Sequence, residues 1–132
     1  MSNKYKHNSG SVYNVKYHLV WCPKYRRKVL IGQIETRLKE LLYEKASKLS
    51  IEIETIEIMP DHVHVFITGT PMIAIQHIMN QLKGYSSRIL RNEFKELRSR
   101  LPTLWSRSYY VGTVGHVNEE TVKKYIEEQK GK

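Results

Sequence analysis

The segment 12–21, VYNVKYHLVW, places Tyr13, Val15, Tyr17, Leu19 and Trp21 on one side at period two, which predicts a β-strand. His18 belongs to its more polar phase. Pro23 ends it, and Lys24 to Lys28 form a basic exit loop. Ile34, Leu38, Leu41, Leu42, Ala46 and Leu49 then recur at three- and four-residue steps and predict a helix of about four to five turns. Residues 51–59, IEIETIEIM, read as a second strand whose apolar phase switches between Ile53 and Ile56, the mark of a bulge or bend. Met59-Pro60-Asp61 is a turn, and 62–68, HVHVFIT, returns as a third strand. From about Ile73 to Arg100 the residues Ile75, Ile78, Met79, Leu82, Ile89 and Leu97 predict one long helix, with Gly84 its weak point. Pro102 stops it, 104–114 reads as one or two short strands, and Gly115 breaks the chain. Asn118 as N-cap, followed by Glu119 and Glu120, opens a last helix over about 118–130.

This order predicts an α+β fold: a ferredoxin-like, RRM-like split βαβ antiparallel sheet with an added C-terminal helix. Two helices cover one face of the sheet and leave the other free for chemistry. The length of 132 residues, without repeats or linker composition, predicts one domain over 1–132. No apolar run is long enough to span a membrane and the N-terminus MSNKYKHNSGS is polar, so a cytoplasmic location is expected. The single Cys22, in an apolar strand, reads as packing.

Charge changes the picture. Lys and Arg number 22 against 13 Asp and Glu, a net +9. No acid precedes Glu35, a second basic stretch runs from Lys83 to Arg107, and between Lys48 and Lys83 there is no Lys or Arg. Two basic segments flanking an acidic middle suit a protein that follows a phosphate backbone, although a generic basic surface has the same composition. The candidate contacts, chosen from charge and placement, are Lys24, Arg26, Arg27 and Arg88, with Tyr25 able to stack on an unpaired base.

His62 and His64 sit two apart on the third strand, so both imidazoles leave the same face, opposite Val63, Val65 and Ile67. Such a pair can act as cis ligands of a divalent cation; two solvated surface histidines would give the same pattern. In the last helix Tyr125 and Gln129 stand one turn apart beside Val122 and Ile126. That stripe can be plain packing. It can also present a phenol to a phosphorus atom, with an amide oxygen one turn away.

The segments VWCPKYRR (20–27), MPDHVH (59–64) and LWSRSYYVGTVG (104–115), in that order, closely resemble the single-tyrosine transposases of small insertion sequences, in the His-hydrophobe-His (HUH) nuclease superfamily. The likeness spans nearly the whole chain and includes Tyr125 and Gln129. It implies that His62, His64 and Gln129 hold a divalent metal, Mg²⁺ by cellular availability with Mn²⁺ as an alternative. It implies that Tyr125 attacks single-stranded DNA at hairpin-marked element ends, forming a 5′-phosphotyrosine link and freeing a 3′-hydroxyl. It further implies a homodimer in which the tyrosine helix of one subunit completes the metal site of the other, with Gly112 and Gly115 as pivots. Two rival readings share the fold. One is a related nuclease of dispersed genomic palindromes; the other is a non-catalytic RNA-binding module, which would carry stacking aromatics where His62 and His64 stand.

Overall fold

The computed structural model describes residues 6–8, 11–13, 15–69, 73–113 and 119–132, with side chains from residue 15 onward. Strands β3 (Lys16–Trp21), β4 (Glu52–Met59), β5 (His62–Thr68) and β6 (Tyr110–Thr113) form an antiparallel sheet in the order β4-β5-β3-β6. This is the split βαβ order the sequence predicts. Helices α1 (Gly32–Lys48) and α2 (Ile75–Glu93) pack on one face. The last helix, α4 (Glu119–Glu128), lies against the other, across from His18, His62 and His64.

The core explains the layering. Leu19, Trp21, Val63, Val65 and Ile67 are fully buried and meet Leu38, Leu41 and Leu42 of α1 and Ile78, Met79 and Leu82 of α2. Each such aliphatic side chain contributes about 1.5–3 kcal/mol by leaving water, so a one-residue slip of β3 or β5 would forfeit several at once. β3 is buried on both faces, because Val20 is also inaccessible and His18 is 4% exposed. The expected irregularity of β4 is a register shift between Ile53 and Thr55 against β5.

Two expectations need correction. The strand read over 12–21 is divided: β2 (Ser11–Tyr13) pairs with β1 (Lys6–Asn8) in a separate two-stranded sheet, and only Lys16–Trp21 joins the main one. Val15 falls in the break and is 43% exposed, its carbonyl accepting from the Gly69 N–H at 2.7 Å. The long helix breaks at Phe94, extended at φ −119°, ψ 94°, before α3 (Lys95–Arg100), while Gly84 lies within regular helix. Leu90, Phe94, Leu97 and Leu101 keep helical spacing through the break, so periodicity alone does not reveal it; in the folded chain Leu97, Leu101 and Leu104 all turn into the core. Arg91 secures the turn by donating to the Leu101 carbonyl at 2.9 Å. Among the described residues, 104–113 supply one strand of the sheet, β6, within the one or two expected, plus an isolated bridge between Pro23 and Trp105. Asn118, Gly115 and His116 lie outside the described residues. Among the described residues no helix is long and apolar enough to cross a membrane.

Gly84 is exposed, and a Cβ there meets nothing within 4 Å. Gly84→Ala should therefore raise unfolding free energy by about 1 kcal/mol through helix propensity, read from urea denaturation. A decrease would show that α2 needs glycine at this position for some other reason.

Candidate active site

The alternation of β5 sends Val63, Val65 and Ile67 into the core and leaves His62, His64 and Phe66 on the opposite face. The two imidazoles have ring centroids 4.9 Å apart. His62 Nδ1 lies 2.7 Å from Asp61 Oδ1; a carboxylate only accepts, so Nδ1 carries a proton. Asp61 is fixed in turn by Arg26, whose Nε is 3.1 Å from Oδ2. His64 Nδ1 is 2.8 Å from Nε2 of His18 on β3. Burial, then the neighbouring His62 and His18, depress His64 to about 4, so its ring is neutral at neutral pH.

These histidines floor an open groove of about 680 Å³, in the size range of ligand clefts. Glu57 and Phe66 join them on the sheet side, and α4 forms the other wall with Glu119, Val122, Lys123, Ile126 and Glu127. Tyr125 projects from the flank of α4 towards β6, 6.3 Å from the Tyr110 ring. Its hydroxyl is 3.1 Å from Ser108 Oγ, and Ser108 Oγ donates to Gln129 Oε1 at 2.9 Å. Serine has one proton to give, so Tyr125 is the donor in the first bond. Burial pushes the phenol up to about 12. Gly112 makes room here, since a Cβ would come within 2.6 Å of the Tyr110 hydroxyl. It is paired to His18 inside β6, a strand position rather than the pivot expected of it.

Gln129 is 3% exposed and its amide is held locally, Nε2 donating to the Tyr125 carbonyl at 3.2 Å. In this conformation Tyr125 and Gln129 belong to a serine cluster beside the groove, while His62 and His64 belong to the groove itself. Lys83 anchors that cluster from α2, its ammonium donating to the carbonyls of Ser106 at 2.8 Å and Ser108 at 3.2 Å. Burial lowers Lys83 to about 8. Cys22 is buried and pushed up to about 12, mainly by desolvation, in keeping with a packing role.

The donor set fits a cation in part. Each imidazole spends Nδ1 on a contact within the protein, the arrangement that orients histidine ligands in metal sites. Among the described residues, however, no group of three or more His, Cys, Asp or Glu converges as a ligand set. The Gln129 amide oxygen is engaged by Ser108.

The expected DNA contacts separate into two regions. Lys24, Tyr25, Arg26 and Arg27 share the loop after β3, where Tyr25 and Arg26 take left-handed φ of 60° and 51°. Non-glycine residues there cost about 1 kcal/mol or more each, a strain that clusters at functional sites. Lys24 and Arg27 lie 5.1 and 5.9 Å from the centre of the Tyr25 ring. Arg26 turns inward, joining Asp61 and donating to the Ile126 carbonyl of α4 at 3.2 Å. Arg88 stands apart on α2, in a hollow with Arg91 and Arg98. Sequence reasoning missed His18, Asp61, Lys83, Ser106 and Ser108 as parts of the site. Asp61 adjoins the histidine pair and was read only as a turn residue; the others lie far from the residues they touch, with no local signal.

Comparison with known proteins agrees with this arrangement. The family described as "Transposase IS200 like" matches residues 11–129. The ISDra2 transposase TnpA of Deinococcus radiodurans is 40% identical over 129 residues, covering 96% of this chain and 92% of that protein. The transposase for insertion sequence element IS200 from Salmonella typhimurium is 33% identical over 119 residues, 89% of this chain and 78% of its own. A crystal structure of a transposase from Deinococcus radiodurans superposes with a TM-score of 0.87 at 36% identity, over 94% of this chain and 97% of that one. A REP-associated tyrosine transposase bound to a REP hairpin shares the fold, with a TM-score of 0.58 at 12% identity, over 96% of this chain and 68% of that one. With its histidine pair under a tyrosine-bearing helix, the chain belongs to the IS200-like family of single-tyrosine HUH transposases, enzymes that cleave and transfer DNA.

Proposed function

We propose that this transposase cleaves and rejoins single-stranded DNA at hairpin-marked ends, with Tyr125 as nucleophile and a divalent cation, Mg²⁺ in the cell, held by His62 and His64. The observation that carries the reading is the pair of imidazoles facing one groove beneath α4, each with Nδ1 spent inside the protein. A cation held there by His62 and His64 would polarise the scissile phosphate and offset its developing charge. Tyr125 forms its phenolic O–P bond as the P–O3′ bond breaks, and the departing oxygen becomes a 3′-hydroxyl. The bond energy stays in the tyrosyl phosphodiester, so rejoining to another 3′-hydroxyl needs no nucleotide cofactor.

In the described conformation the phenol is protonated and hydrogen-bonded to Ser108, so attack requires Tyr125 to leave Ser108 for the groove. Gln129 becomes a third ligand only through the same release from Ser108. The family likeness supports a homodimer in which each tyrosine helix serves the partner's histidines.

Tyr125→Phe should abolish the covalent protein–DNA band on a denaturing gel while hairpin affinity persists; a surviving band would remove Tyr125 as nucleophile. His64→Ala should lower Mn²⁺-dependent cleavage at least about 10–100-fold, the scale of disturbed metal sites. Mixing these two variants should restore cleavage if the sites are completed between subunits, and should restore none if each subunit works alone. Lys24→Gln and Arg27→Gln should each flatten the salt dependence of binding by about 0.7 in log–log slope. Unchanged slopes would take this loop off the DNA path.

A further inference from the structure

His18 is an imidazole at the middle of β3, 4% exposed, for which transposition chemistry as described so far has no use. Its ring is stacked on Phe66, with centroids 4.3 Å apart and planes 6° from parallel, and Tyr110 meets its edge. Its Nε2 lies 2.8 Å from His64 Nδ1, across 46 residues of sequence. Its other nitrogen, Nδ1, is buried and has no hydrogen-bond partner among the described residues.

Only one proton fits between two imidazole nitrogens at that distance, which leaves two arrangements. If His18 Nε2–H donates, His64 must carry its own proton on Nε2 and cannot ligate a cation. If His64 Nδ1–H donates, His64 Nε2 keeps a bare lone pair and His18 carries its proton on Nδ1. A hydrogen bond at His18 Nδ1 would ordinarily choose between these forms. None exists, so occupancy at His64 Nε2 makes the choice.

We infer that His18 is a positioning residue for the cation site: it accepts the His64 Nδ1–H and holds that ring with Nε2 available to the metal, as Asp61 does for His62. The inference rests on the proposed cation role of the histidine pair. Phe66 and Tyr110 serve it by fixing the His18 ring from its face and its edge.

The test is Mn²⁺ binding to the full-length protein, by titration calorimetry and by loss of the free Mn²⁺ paramagnetic signal. His18→Phe keeps a flat ring against Phe66 but cannot accept a hydrogen bond. It should remain folded by circular dichroism and bind Mn²⁺ about 10–100-fold more weakly. His18→Gln, whose amide oxygen can accept from Nδ1–H, should recover much of that loss. Imidazole ¹⁵N spectra of the Zn²⁺-loaded wild type should show His64 protonated at Nδ1. Folded His18→Phe with wild-type Mn²⁺ affinity would overturn the inference, as would protonation of loaded His64 at Nε2 should His18→Phe fail to fold. Wild type that binds no Mn²⁺ would overturn the cation reading itself. Binding that His64→Ala abolishes and His18→Phe leaves intact would overturn the role of His18 alone.

Discussion

The one-sided burial of β5 is the constraint on which this molecule depends. Val63, Val65 and Ile67 cannot leave the core beneath α1 and α2 without exposing large apolar surfaces. Because a strand alternates strictly, that requirement turns His62, His64 and Phe66 outward on the other face. The core therefore positions the chemistry. A register slip that misplaced the histidines would also expose the aliphatics, and this links stability to the geometry of the site.

The second layer of organisation is a set of polar contacts that reach across the chain to the same few side chains. Arg26 touches both Asp61, which orients His62, and the Ile126 carbonyl of the tyrosine helix. On the other side of that helix, Lys83 holds the backbone of 106–108, and Ser108 holds Tyr125 and Gln129. The groove and the tyrosine are thus fastened by separate contacts to one framework. The histidines sit on the central β-sheet, whereas Tyr125, the proposed nucleophile, is carried by a helix kept in place by hydrogen bonds that can be exchanged.

Membership of the IS200-like transposases decides between readings that the fold alone leaves level. A split βαβ sheet also serves RNA-binding modules, and its open face here does carry aromatic rings, Phe66 and Tyr110. They are stacked on or edge-on to His18, under a helix, in a setting shared with the histidine pair. Fold likeness to a REP-associated transposase at 12% identity adds architecture but no substrate.

By itself the sequence determined the order of the main-sheet strands and the helices between them, the α+β class, the irregularity of β4 and the face shared by His62 and His64, because all of these follow from local periodicity. Its motifs MPDHVH, VWCPKYRR and LWSRSYYVGTVG carried the family resemblance before any coordinates. The break at Phe94 stayed hidden, since the apolar spacing continues straight through it and only the path of Leu97 and Leu101 into the core reveals the bend. Likewise the sequence marked Arg26 as a candidate DNA contact, and only packing turned it towards Asp61. His18 with His64, Lys83 with Ser106, and Ser108 with Tyr125 are pairs separated by tens of residues or by a change of element. Their meeting depends on strand order and on where α4 docks, quantities that periodicity along a chain does not contain.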